Sequence, residues 1–109
     1  MREEPLTARI IVACGSGVAT SQTVASKVQR LLSAKNIDAE CEAVEMKHLR
    51  QEIRTADIYI STVKEDVDWH VPVFNGLAFL TGIGQDAEFK KLVAVIDEVN
   101  RRYSLRFRH

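Results

Sequence analysis

Cys14 is the side chain best placed by its surroundings to do chemistry. An apolar run, Ile10-Ile11-Val12-Ala13, stops at it, and Gly15, Ser16, Gly17, Val18, Ala19, Thr20 and Ser21 follow. Helical spacing begins at Val24. This is the layout of a buried strand, a tight loop and a helix N-terminus. Such a loop aims backbone N–H groups at one spot, where the helix dipole favours negative charge. The same field stabilises a thiolate, since helix N-termini bring thiol pKa values down to roughly 3.5–7.5. The reading is therefore a nucleophilic Cys14 beside a phosphate cradle formed by Gly15 through Ser21. Most cysteines simply pack. What separates Cys14 from those is its place at the carboxyl end of a predicted parallel strand, where open α/β sheets put their ligands. Gly15 and Gly17 let backbone come close to an anion.

The elements that position this thiol can be followed along the chain. Thr7 to Ala13 reads as a first strand, apolar enough to be covered on both faces. Cys14 to Thr20 is the loop. A helix is expected from Thr20 or Ser21 to Lys35, with Val24, Ala25, Val28, Leu31 and Leu32 as its inner stripe and Asn36 as a left-handed cap. Ile37 to Glu45 alternates between apolar and charged residues, which suits an edge strand. Cys41 falls on its inner side and reads as packing. Met46 to Arg54 is a short helix with Met46, Leu49 and Ile53 on one side and His48 in solvent. Ala56 to Thr62 is the third strand, ending in Ser61 and Thr62, which emerge beside the first loop if the two strands are neighbours. Lys64 to His70 is irregular, and its Trp69-His70 pair reads as incidental. Pro72-Val73-Phe74 is a short fourth strand, Asn75-Gly76 a turn, and Leu77 to Ile83 an apolar loop. The last helix runs from Gln85, with Asp86 as its cap, to Tyr103 along Phe89, Leu92, Val93, Ile96 and Val99. Residues 104–109 are either a frayed end or a partner-binding tail.

Alternating strands and helices call for an α/β fold with right-handed crossovers. The expectation is an open four-stranded parallel sheet of order 2-1-3-4 with helices on both faces, Rossmann-like or flavodoxin-like. Its switch point lies between strands 1 and 3, beside Cys14.

The whole chain narrows the function further. Its 109 residues suit a single domain, with Met1 to Leu6 as a lead-in. Lysine and arginine total 15 and aspartate and glutamate total 15, so no net field draws the chain to nucleic acid or anionic lipid. No stretch approaches the ~18 apolar residues of a membrane span, and no signal peptide is recognisable. The expected location is the cytoplasm. Two cysteines suggest neither a disulfide framework nor a zinc site, and no acidic cluster has metal spacing, so no metal or other cofactor is expected.

The segment from Ile10 to Ser21 resembles the active-site segment of the galactitol-type enzyme IIB of the bacterial phosphoenolpyruvate-dependent phosphotransferase system (PTS EIIB). Pro72-Val73-Phe74-Asn75-Gly76-Leu77-Ala78-Phe79-Leu80-Thr81-Gly82-Ile83-Gly84 resembles a late loop of the same family. The likeness extends from about Ala8 to Ile96, and Asn75 stands where histidine is expected in some relatives. The resemblance implies a phosphoryl carrier in sugar transport. Cys14 would become a phosphocysteine by taking phosphoryl from a histidine of a IIA component. It would pass the group to a sugar alcohol held by a membrane IIC component, which would bring the chain transiently to the inner face of the membrane. The phosphate loop maps onto Gly15 through Ser21.

Two alternatives stand beside this one. Low-molecular-weight cysteine phosphatases and arsenate reductases use a similar loop, but with an arginine at the place of Thr20 to grip phosphate oxygens. Asp66 and Asp68 also fail to form that family's Asp-Pro general acid. A non-catalytic regulatory module could keep the anion loop but would have no need of the thiol.

Overall fold

The computed structural model describes residues 8–15, 18–62 and 69–106, with the backbone alone described at 18 and 103–106. Four strands, β1 (Ala8–Ala13), β2 (Ala39–Ala43), β3 (Ile58–Ser61) and β4 (Val73–Asn75), form one sheet of order β2-β1-β3-β4. All three pairings are parallel. This is the α/β order expected from the sequence. β1 and β3 are central because their Ile, Val, Ala and Tyr residues bury both faces. Ile10, Ile11, Val12, Ile58, Tyr59 and Ile60 are fully enclosed.

Helices cover both faces. Helix α1 (Val18–Ala34) joins β1 to β2. A helical segment, α2 (Leu49–Glu52) flanked by 3₁₀ turns Met46–His48 and Ile53–Thr55, leads to β3. Helices α3 (Gly76–Thr81) and α4 (Gln85–Arg106) follow β4. A right-handed crossover puts its helix on a face set by the direction of travel across the sheet. The crossovers after β1 and β2 travel in opposite directions, so α1 and α2 land on opposite faces. On one face Ile10 and Val12 meet Val24, Val28 and Leu32 of α1, Phe79 of α3, and Leu92 and Ile96 of α4. On the other, Ile11, Ala13 and Tyr59 meet Leu49, Ile53 and Val44. Trp69 packs edge-on against Tyr59 with ring centroids 5.9 Å apart, so it belongs to this second core rather than being incidental.

Several boundaries differ from the sequence expectation. Helix α1 starts at Val18, so Val18, Ala19 and Thr20 lie in its first turn and not in the loop. The Thr23 hydroxyl donates to the Ala19 carbonyl at 3.1 Å, which helps close that turn ahead of the first core contact. The helix ends at Ala34, one residue before the expected Lys35, and Asn36 is the expected left-handed cap, with φ +57°. Ile37 N–H donates to the Leu32 carbonyl at 2.9 Å and Asn36 N–H to the Ser33 carbonyl at 3.1 Å, a Schellman motif. The stretch read as an apolar loop is α3. Asn75 caps it, its side-chain oxygen accepting from Leu77 N–H at 3.0 Å, so Asn75-Gly76 starts a helix instead of a turn. Asp86 lies inside the first turn of α4 and is not its cap. That helix passes Tyr103 and continues to Arg106. The side chains of Tyr103 and Leu105, and residue Phe107, lie outside the described set, as do the lead-in and Asp66 and Asp68.

Side chains fasten the lower end and outer edge of the sheet. Arg9 Nη2 lies 2.8 Å from carboxylate oxygens of both Glu42 and Glu52, and its Nη1 donates to Thr55 Oγ1. The Glu52 and Glu42 carboxylates raise the Arg9 pKa, Glu52 most of all. At the same end, Ala8 N–H donates to Asn100 Oδ1 at 2.8 Å, and Asn100 Nδ2 donates to the Asp38 carbonyl at 2.9 Å. On the free side of β2, Gln29 Nε2 donates to the Ala39 carbonyl at 3.3 Å while its Oε1 accepts from Cys41 N–H at 3.1 Å. An amide side chain thus stands in for a neighbouring strand, a local answer to the exposed-edge problem. With these fastenings below, the carboxyl ends of the strands are left for chemistry.

Candidate thiol site

Parallel register brings three strand ends together. Ala13 pairs with Ser61, and Ser61 pairs with Asn75, so Cys14, Thr62 and Gly76 follow side by side at the top of the sheet. Cys14 is 4 % exposed, and Gly15 beyond it is exposed in a turn. The Thr62 hydroxyl donates to Cys14 Sγ at 2.7 Å. The sequence places Thr62 near the loop but does not assign it to the site. The signal for it is its position directly after the strand expected to neighbour β1.

Gly76 explains how α3 can start so close. A methyl group built there would lie 2.9 Å from Thr62 Cγ2, 3.1 Å from Ile60 Cγ2 and 3.2 Å from the Ser61 carbonyl oxygen. Only a residue without Cβ lets this helix meet the end of β3 undisturbed. Asn75 is further held by its N–H, which donates to Glu88 Oε2 at 2.8 Å.

The remaining residues expected to hold phosphate are distributed as follows. Gly15 is exposed next to the thiol; Ser16 and Gly17 lie outside the described residues. Val18, Ala19, Thr20 and Ser21 form the first turn of α1, whose leading N–H groups have no carbonyl within the helix to donate to. Ala19 is exposed and Thr20 half-buried, whereas Ser21 is fully enclosed. Of the described hydroxyls named from sequence, Thr20 therefore has the access and Ser21 does not.

The second thiol is different in kind. Cys41 borders the core under α1, and burial pushes its pKa up to about 12. That is the behaviour of a packing residue, as expected. No disulfide joins Cys14 and Cys41. Among the described residues no group of His, Cys, Asp and Glu could hold a metal ion, and no helix is long and apolar enough to cross a membrane.

The fold is a doubly wound parallel sheet with a thiol at its switch point, next to a helix N-terminus, the place where open α/β sheets take ligands and helix N-termini favour anions. Comparison with known proteins makes the assignment specific. Residues 9–96 match the family model described as PTS system, Lactose/Cellobiose specific IIB subunit. The chain is 30 % identical over 90 residues to SgcB of Escherichia coli (strain K12), which carries an enzyme IIB name, covering 83 % of this chain and 98 % of that protein. It is 29 % identical over 89 residues to the PTS system galactitol-specific EIIB component of the same organism, covering 81 % and 95 %. The solution structure of a cellobiose-specific phosphotransferase IIB component from Borrelia burgdorferi has the same fold, with a TM-score of 0.54 and 17 % identity, covering 92 % of this chain and 97 % of that one. The chain belongs to the lactose/cellobiose-specific IIB family of the phosphotransferase system, and is a phosphotransferase component of sugar uptake.

Proposed function

We propose that Cys14 carries the phosphoryl group, receiving it from a histidine of a IIA component and delivering it to a sugar alcohol, galactitol or a close relative, held by a IIC component. The observation that carries this reading is the location of Cys14 at the end of β1, hydrogen-bonded to Thr62 and followed by the N-terminal turn of α1. Family membership supplies IIA and IIC as partner classes. The galactitol-specific relative supports a polyol as the acceptor.

In the first transfer the Cys14 thiolate attacks phosphorus in line. The S–P bond forms as the donor's N–P bond breaks, and the electron pair stays on the imidazole nitrogen, which takes up a proton. In the second, the polyol oxygen attacks phosphorus and the S–P bond breaks with its electron pair returning to sulfur, while the hydroxyl proton passes to a base on the acceptor side. Little covalent chemistry is asked of the protein beyond the thiolate; it must position the group and stabilise charge. Backbone N–H groups from Gly15 to Ser21 are suited to that, with the Thr20 hydroxyl as a further donor. An arginine at position 20 would favour hydrolysis; threonine there fits a carrier whose phosphocysteine waits for its acceptor.

Such a carrier works in the cytoplasm and meets the membrane through IIC. The test is phosphoenolpyruvate-dependent phosphorylation of galactitol by vesicles containing IIC, supplied with the general phosphotransfer proteins, IIA and this chain. Activity should require the chain and disappear with Cys14→Ser; full activity with that variant would contradict the proposal.

A further inference from the structure

We propose that Thr62 is part of the thiol chemistry: its hydroxyl stabilises the Cys14 thiolate before transfer and turns to a phosphoryl oxygen once sulfur is esterified. The inference rests on Cys14 being the phosphoryl carrier and adds a residue to that site.

The geometry has two independent parts. The first is the bond itself, Thr62 Oγ1 to Cys14 Sγ at 2.7 Å, made in a partly buried setting at the ends of two adjacent strands. A hydroxyl that donates to a thiolate stabilises the charged form more than the neutral one, and so lowers the thiol pKa. The second is the brace behind it. The Thr62 methyl faces the bare α-carbon of Gly76, where even a methyl group would come within 2.9 Å. Threonine is stiff about χ1. With its methyl held on the Gly76 side, its hydroxyl is held on the Cys14 side. Serine would keep the donor and lose the brace; valine would keep the brace and lose the donor.

The hydroxyl keeps its proton throughout. When sulfur is a thiolate it is the anionic acceptor within reach. When the S–P bond has formed, the negative charge lies on the phosphoryl oxygens, and the same O–H donates there. Thr62 would therefore favour both ends of the transfer without taking part in proton exchange.

Other charges near this end of the sheet are few among the described elements. The first turn of α1 brings Ala19, Thr20 and Ser21, and β3 brings Ser61, none of them charged at neutral pH. The first turn of α4 carries exposed Asp86 and half-buried Glu88, the latter accepting from Asn75 N–H at 2.8 Å and lying 3.7 Å from Lys91. After β2 come Glu45, which pairs with Lys47 at 3.4 Å, and exposed His48.

The experiment is iodoacetamide alkylation of the intact protein across pH, read peptide by peptide by mass spectrometry so that Cys14 and Cys41 report separately. Thr62→Val should raise the Cys14 midpoint by about one pH unit, the scale of one hydrogen bond to a charged group. Thr62→Ser should recover most of that shift, and Thr62→Ala should repeat the valine result if valine disturbs folding. An unchanged midpoint in folded Thr62→Val or Thr62→Ala, or a shift that serine does not recover, would overturn the proposal. These readings do not depend on phosphoryl transfer. If Cys14 failed to accept phosphoryl while the midpoint still moved, the carrier reading would fall and the thiol–hydroxyl coupling would stand.

Discussion

Gly76→Ala is a one-carbon change whose effect can be worked from the structure. Two terms oppose each other. Gly76 is the first residue of α3 and sits within ordinary helical backbone, so alanine should gain about 0.5–1 kcal/mol through a less flexible unfolded chain. The new methyl, however, meets Thr62 Cγ2 at 2.9 Å, Ile60 Cγ2 at 3.1 Å and the Ser61 carbonyl at 3.2 Å. Overpacking of this kind costs about 1–3 kcal/mol. One neighbour is strand backbone and another is buried Ile60, so relief has to come mainly from Thr62. The net expectation is a loss of about 1 kcal/mol, which lowers Tm by about 4–8 °C for a chain of this size. The same rotation of Thr62 takes its hydroxyl away from Cys14 Sγ. Thermal unfolding and the pH profile of Cys14 alkylation should therefore change together. A Gly76→Ala protein at least as stable as the parent, with an unaltered Cys14 profile, would refute both the crowding argument and the brace assigned to Gly76.

Two further outcomes follow from residues away from the thiol. Burial raises the Cys41 pKa from its ordinary 9.0 to about 12, so the folded state holds a proton that the unfolded state gives up first. Its contribution to stability is complete below about pH 9 and is lost as pH rises toward 12. Cys41→Ala should flatten the fall of stability over that window in denaturant titrations, and an identical slope would contradict it. Gln29→Ala removes the amide that bridges Ala39 and Cys41 on the free side of β2. It should cost about 1 kcal/mol and speed hydrogen exchange at the Cys41 amide; unchanged protection there would show that the bridge does not form in solution.

The sheet was legible because its strands differ in kind. β1 and β3 are continuous apolar runs, whereas β2 alternates apolar and charged residues, which separates centre from edge and leads to the order 2-1-3-4. Cys14 stands out in the sequence because it follows Ile10 to Ala13, a run that the fold encloses fully. What the sequence concealed was short or tertiary. α3 spans Gly76–Thr81, too short for helical periodicity to show, and its Asn-Gly start imitates a turn. The start of α1 lies upstream of its first core contact, Val24, so the inner stripe cannot mark it. The bond from Thr62 to Cys14 spans two strands, and only their register fixes it. The exclusion of Ser21 from the surface likewise comes from how α1 rotates against the sheet, which no local pattern records.

The most direct measurement is the position of the phosphoryl group. The chain should be incubated with phosphoenolpyruvate, the general phosphotransfer proteins and a IIA component, then cleaved and sequenced by mass spectrometry without acid or reducing steps. A single phosphoryl group is expected, on the peptide containing Cys14 and attached to its sulfur. A group found on His48 or His70, or phosphorylation that persists undiminished in Cys14→Ser, would contradict it.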